Sequence, residues 1–237
     1  MSVDFRKIEA IAFDLDGTLI DSAPDIQHAL NAAMKKAGLE RFDLNTVRSW
    51  IGDGPDVLIA HALARQGLAD ADAVFRARLR RWFDVATLAA PLSFGSVFAG
   101  IQPLVMALHK RLPMVVVSNK PTPLARAVLD AAQLLPFLHG VQGADTPALR
   151  KPAPAMLVEA AAGLGTPIDH LLMVGDGAAD MNAARAAGCP SVLVEWGYGH
   201  HSLAGPEWAA LVRIAEPAQL LRALAVTQRD TESLSNH

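Results

Sequence analysis

The chain has 237 residues and a formal net charge of −3, enough for one large domain or for a core domain with a smaller one inserted. It carries no basic block to meet nucleic acid or an anionic membrane, and no apolar run long enough to span a bilayer. A single cysteine, Cys189, excludes an internal disulfide. Hydrophobic residues make up 51% and aromatics only 5%, which suits helices packed closely on a sheet. The start, Met1 to Lys7, is charged and lacks a secretory h-region, so a cytoplasmic protein is expected. Cys189 follows Gly188 and precedes an apolar run, and it reads as a buried structural thiol.

The first predicted strand runs from Ile8 to Asp14. From Pro24 to Ala90 the pattern changes to helical periodicity, with Ile26, Leu30, Ala33, Met34 and Ala37 on one face and Gly38 as a stop. Further helices are expected from Leu44, after Pro55 and from Ala71, with no convincing strand among them. The reading is an all-helical unit over 23–90, inserted into a core formed by 1–22 and 91–237, with linkers near Ser22 and from Pro91 to Gly100.

The core resumes with a helix at Ile101–Lys110 and a strand at Pro113–Asn119. A helix at Pro123–Leu134, a short strand at Gly140–Gly143 and a helix at Ala153–Leu164 follow. Leu171–Gly175 is a strand, Met181–Ala187 a helix closed by Gly188, and Ser191–Glu195 a strand. Val212–Ala225 adds a short strand and a helix, and Thr227–His237 reads as a polar, frayed end. Strands alternating with helices imply parallel pairing with right-handed crossovers, and continuous apolar runs fit strands buried on both faces.

The chemistry concentrates at Asp14-Leu15-Asp16-Gly17-Thr18. Carboxylates at i and i+2 on an extended segment point to the same side. At the carboxyl end of a central parallel strand they face the crevice where open α/β sheets bind ligands. Gly17 permits a sharp turn, and Thr18 can tie it down with a hydrogen bond. An acidic turn and a metal-assisted nucleophile beside a general acid both fit this stretch.

Asp14 to Thr18 matches the DxDGT signature of the haloacid dehalogenase superfamily, which is mostly phosphatases. Ser118-Asn119-Lys120, Lys151-Pro152 and Gly175-Asp176-Gly177-Ala178-Ala179-Asp180 resemble its other motifs, in the right order and each after an apolar strand. The resemblance covers about Ile8 to Gly199, and within the superfamily the chain looks most like the phosphoglycolate phosphatase group. It implies a Rossmann-like parallel sheet and makes the helical unit a cap. It also implies a Mg-dependent phosphatase acting on a small phosphate ester, as a monomer or homodimer.

By the same resemblance Asp14 is a nucleophile that forms an aspartyl-phosphate, and Asp16 is the general acid and later the base. Ser118 binds a phosphoryl oxygen, Asn119 contacts substrate or fixes its loop, and Lys151 offsets charge on Asp14 and the phosphoryl group. The Asp14 carboxylate, the Asp16 carbonyl and Asp176 hold Mg. Asp180 stands behind them in a loop and orients Lys151 or a metal-bound water, with Thr18 also behind the ligands. The family often has serine where this chain has Gly177, a loss of one hydroxyl. Lys120 reads first as a surface lysine and second as a further cation of the site, Arg150 as solvated, and His200-His201 as a surface loop rather than a zinc site.

Val47 to Gly54 resembles the group's cap loop, and Trp196-Gly197-Tyr198-Gly199 also fits. That assigns Gly52 and Asp53 to substrate binding and makes 2-phosphoglycolate the first expected substrate. Sugar phosphates such as N-acetylmuramate 6-phosphate come second. A phosphomutase on this fold comes next, and a non-catalytic binding protein last. Asp16, Asp176 and Asp180 argue against a dehalogenase, and the solvated setting of Lys35 and Lys36 against a phosphonatase. Asp53 has two readings: a charge aimed at the leaving group, or the cap of the helix after Pro55.

Overall fold

The computed structural model describes residues 3–203 and 205–224. The expected polar tail from Thr227 and the last residue of the predicted C-terminal helix, Ala225, lie outside them.

β1 (Ala10–Phe13) is buried at every position. Its side chains alternate across the sheet, as a period of two demands. Ala10 and Ala12 join Val115, Val117, Leu171 and Met173 on one face, while Ile11 and Phe13 join Met114, Val116, Leu172 and Val174 on the other. The alanines let helices come close on their side, and Phe13 fills space on the other.

After β1 the chain makes a two-residue strand, β2 (Ile20–Asp21), then four helices: α1 (Ala23–Lys36), α2 (Leu44–Arg48), α3 (Pro55–Arg65) and α4 (Ala73–Ala89). Asp43 caps α2 and Asp72 caps α4, each accepting a backbone N–H from the residue three on. Leu30, Met34, Val47, Leu58, Leu63, Leu79 and Phe83 form their shared core, and α1 packs chiefly on α4. The return strand, β3 (Ser96–Val97), pairs antiparallel with β2.

The remainder alternates: α5 (Ile101–His109), β4 (Met114–Ser118), α6 (Thr122–Ala131), β5 (Gly140–Gly143), α7 (Ala155–Leu164), β6 (Leu171–Gly175), α8 (Ala178–Ala187), β7 (Ser191–Val194) and β8 (Val212–Ile214), then helical residues 217–224. The six-stranded sheet has the order β5-β4-β1-β6-β7-β8, with every pairing parallel. α7 and α8 cover the Ala10 face, and α5 and α6 cover the Phe13 face. This is a Rossmann-like α/β core. β1 sits between β4 and β6, where the strand order reverses, and ligands bind at the carboxyl ends of such a switch point.

Two features depart from expectation. The ribbon of β2 and β3 was not foreseen, because two-residue strands carry no periodicity. α8 begins at Ala178 rather than Met181, so Asp180 lies in its first turn and not in a loop. Its carboxylate accepts the Gly177 N–H at 3.1 Å, which closes the helix start.

Candidate active site

The turn after β1 is held by its backbone. The N–H groups of Leu19 and Ile20 both donate to the Leu15 carbonyl at 3.0 Å, and the Gly17 N–H donates to Ile20 at 2.9 Å. Thr18 does not tie the turn through its hydroxyl, which is buried without a partner among the described residues. Its carbonyl instead accepts the Trp196 indole N–H at 3.0 Å. Gly17 has φ +89°, and a Cβ there would run into the Asp176 carboxylate. The position therefore needs glycine for both conformation and space.

Lys151 is 2% exposed, at the centre of the site. Its ammonium donates to Asp14 Oδ1 at 2.7 Å, Asp180 Oδ1 at 2.6 Å and the Val117 carbonyl at 2.8 Å. All three of its protons are thus used. Burial pulls its pKa down, but Asp14 and Asp180 outweigh that and hold it above the ordinary lysine range. Burial pushes Asp14 up to about 8, helped by Asp180 and Asp176 and opposed by Lys151. Burial likewise pushes Asp176 up to about 6, with Asp180 adding to it. Two backbone N–H groups, from Tyr198 at 2.6 Å and Gly199 at 3.0 Å, oppose this by donating to Asp176 Oδ2.

Asp14, Asp176 and Asp180 each offer an oxygen within 4.8 Å of the others. Four carboxylates, counting Asp16, face two ammoniums, those of Lys151 and Lys120, which leaves two negative charges over. An oxygen-only set with that excess fits a hard divalent cation such as Mg. Asp180 has one oxygen on Lys151 and the other on Gly177 N–H, so its first task here is to hold Lys151.

Ser118 ends β4, and its hydroxyl accepts the Lys120 N–H at 3.2 Å. Asn119 fixes two loops at once. Its amide donates to the carbonyls of Gly52 at 2.9 Å and Lys151 at 3.0 Å, and its oxygen accepts the Lys151 N–H at 2.8 Å. Lys120 is not a surface lysine. It is 5% exposed, and its ammonium lies 2.6 and 2.7 Å from the two oxygens of Asp16. The end of β4 faces the crevice beside β1, so the side chain turns inward to the nearest carboxylate. Ser22 also donates to Asp16, at 2.5 Å.

A narrow pocket of about 40 Å³ lies over Asp14, Asp16, Ser118, Asn119 and Lys120. Ile26, Trp50, Gly52, Leu58 and Phe83 complete its wall. Gly52 thus reaches the site. Asp53 does not line this pocket but a neighbouring cleft, with Asp56, Arg80, Asp84 and Arg150. Nor does it cap the next helix, because Gly54 holds that position and no side chain caps it. Gly54 has φ +84°, and the backbone turns there before Asp53 could reach back.

Two contributors were not singled out from the sequence, Asp25 and the Tyr198 hydroxyl, and Lys120 was read first as a surface lysine. Asp25, in the first turn of α1, accepts the N–H groups of Ser93, Phe94 and Gly95 at 2.8 to 2.9 Å, and so ties the outgoing chain to the returning one. The Tyr198 hydroxyl donates to Asp21 at 2.6 Å and accepts the Ala23 N–H at 3.1 Å. No short-range motif marks these partners, since 68 to 177 residues separate them. Gly177 has no side chain to cap α8, so the sequence carried no full capping-box signal for its start, and only the Asp180 carboxylate closes it by accepting the Gly177 N–H. Cys189 is buried as expected, with its thiol pushed up to about 12 by burial.

The sheet order and a buried lysine held among carboxylates define an enzyme centre on a Rossmann-like core. The chain belongs to the haloacid dehalogenase-like hydrolases, whose family model matches residues 8–188. It is 39% identical over 201 residues to a phosphoglycolate phosphatase of Rhodospirillum rubrum, covering 83% of each chain. It is 37% identical over 215 residues to one from Shigella boydii, covering 83% of this chain and 84% of that one. A crystal structure of a predicted phosphoglycolate phosphatase from Haemophilus somnus superimposes with a TM-score of 0.81 at 27% identity, over 91% of this chain and 97% of the other. Within the family the chain falls in the phosphoglycolate phosphatase-like group and is a phosphoric monoester hydrolase. No helix among the described residues is long and apolar enough to cross a membrane.

Proposed function

We propose that the protein is a Mg-dependent phosphatase that hydrolyses 2-phosphoglycolate through an aspartyl-phosphate on Asp14. The observation that carries this is Asp14 itself, at the carboxyl end of the central strand, anchored by Lys151 and opening into a narrow pocket beside Asp16. The relatives' names support the substrate.

Asp14, Asp176 and the Asp16 carbonyl would hold Mg, which when bound supplies charge neutralisation at the phosphoryl oxygens. Lys151 fixes one Asp14 oxygen and leaves the other for the phosphorus. That oxygen attacks, the bond from phosphorus to the ester oxygen breaks, and Asp16, which must enter this step protonated, gives the leaving alkoxide its proton. The Ser118 hydroxyl and nearby N–H groups take the phosphoryl oxygens. Asp16 then removes a proton from water, which attacks the phosphorus of the aspartyl-phosphate, releases phosphate and restores Asp14. Helices α1 to α4 act as the cap, and Trp50, Leu58 and Phe83 exclude water from above. Asn119 sets the cap loop at Gly52 in register with Lys151.

The test is a panel of phosphate esters ranked by kcat/KM in the presence of Mg. 2-Phosphoglycolate is expected first. A higher value for N-acetylmuramate 6-phosphate, or for another sugar phosphate, would overturn the substrate.

A further inference from the structure

Two lysines stand in the site, and they differ in one respect. Lys151 spends all three protons on Asp14, Asp180 and Val117. Lys120 spends two on Asp16, and its third meets no acceptor among the described residues. Lys120 is also the single cation that lines the pocket among those residues. The rest of the cap-side wall, Ile26, Trp50, Leu58 and Phe83, offers no positive charge. An anionic group entering there without a partner would carry the cost of a buried, unpaired charge.

We infer that Lys120 recognises the carboxylate of the substrate's leaving group. This rests on the reading of the substrate as 2-phosphoglycolate. The proton donor to the ester oxygen must lie beside that oxygen, and Lys120 touches both oxygens of the proposed donor, Asp16. In 2-phosphoglycolate a single methylene separates the ester oxygen from the carboxylate carbon. A cation next to Asp16 is therefore next to the carboxylate too. Lys120 bridges Asp16 and the substrate carboxylate with the proton that Asp16 leaves unused, and sets the leaving group in line. Arg48 is the rival cation nearby, but it lies over the Tyr198 ring, 5.6 Å from its centre, and does not line the pocket.

The experiment compares kcat/KM for 2-phosphoglycolate and for 2-hydroxyethyl phosphate, in which a neutral hydroxymethyl group replaces the carboxylate. It uses the full chain with Mg, as wild type and as Lys120→Met. Wild type should prefer 2-phosphoglycolate. Lys120→Met should lose about 10²-fold on that substrate and no more than about tenfold on the neutral one, so that the preference collapses. General damage to the site would lower both alike and leave the ratio intact. A preference that survives in Lys120→Met overturns the inference, and its loss in Arg48→Met instead would pass the role to Arg48. Absence of any preference in wild type would overturn the substrate reading itself. Lys120→Gln, which keeps a donor toward Asp16, carries the same comparison should the methionine variant not fold.

Discussion

Asn119 and Gly52 are joined by a hydrogen bond of 2.9 Å across 67 residues of sequence. The same side chain makes two bonds to the Lys151 backbone, so one amide aligns the Gly52 loop with the central cation. Asn119→Ala removes all three and leaves buried groups unpaired, a loss of about 2–3 kcal/mol in stability. With Lys151 displaced, kcat on 2-phosphoglycolate should fall by about 10²-fold. Chemical denaturation and steady-state kinetics read the two effects. An unchanged kcat would show that Asn119 serves the fold alone.

Asp14→Asn should keep the fold and lose turnover by several orders of magnitude, because an amide cannot form the covalent intermediate. Trifluoroberyllate, which mimics an aspartyl-phosphate, should raise the melting temperature of wild type with Mg and leave the variant unmoved. Turnover by Asp14→Asn near the wild-type rate would end the covalent mechanism.

Much of this was legible in the sequence. β1, β4, β6 and β7 read as continuous apolar runs because both faces of each are covered. The i, i+2 carboxylates read as one-sided because a strand alternates. Lys120 was misread since a lysine beyond a strand usually meets water, and nothing local shows that Asp16 waits across the crevice, 104 residues away in the chain. Asp25 was passed over for the same reason: a first-turn aspartate usually serves its own helix, and this one holds the backbone of residues 93 to 95. Asp53 was drawn toward the site by its neighbours in the motif, but the turn at Gly54 sends it to the next cleft.

That placement gives Asp53→Asn a definite outcome. Asp53 is exposed, outside the Asp14 pocket, and caps no helix. Its charge is screened by solvent. The ratio of kcat/KM between 2-phosphoglycolate and 2-hydroxyethyl phosphate should stay within about twofold of wild type, and stability within about 0.5 kcal/mol. A selective gain on 2-phosphoglycolate would put Asp53 near the substrate after all.

Asp25→Ala should weaken the joint between the helical unit and the sheet. It deletes three charge-assisted bonds to the N–H groups of Ser93, Phe94 and Gly95. The crossing is tight as well, for a Cβ on Gly95 would lie 2.5 Å from the Asp25 carboxylate. A loss of about 2–4 kcal/mol is expected by urea denaturation, with Asp25→Asn intermediate because one amide oxygen can still accept. Equal stability in Asp25→Ala would mean that the ribbon of β2 and β3 holds the crossing unaided.

The carboxylates of the site also set a pH dependence that differs with and without Mg. In the metal-free protein Asp14 lies at about 8 and Asp176 at about 6, both above the ordinary value of 3.8. Between those values the folded chain keeps protons that the unfolded chain has released. Stability rises with pH only where the unfolded state binds more protons, so here the contribution of these groups falls as pH rises from about 4 to 8. A cation bound by the same oxygens must displace those protons, and its affinity therefore grows over the same range. Melting temperatures measured in EDTA and in excess Mg at pH 5, 6.5 and 8 should show a Mg-induced gain that is small at pH 5 and largest at pH 8. Activity should be lost in EDTA at every pH and return with Mg. A gain equal at pH 5 and pH 8 would mean that Mg does not bind through Asp14 and Asp176, and full turnover in the chelator would remove the metal from the mechanism.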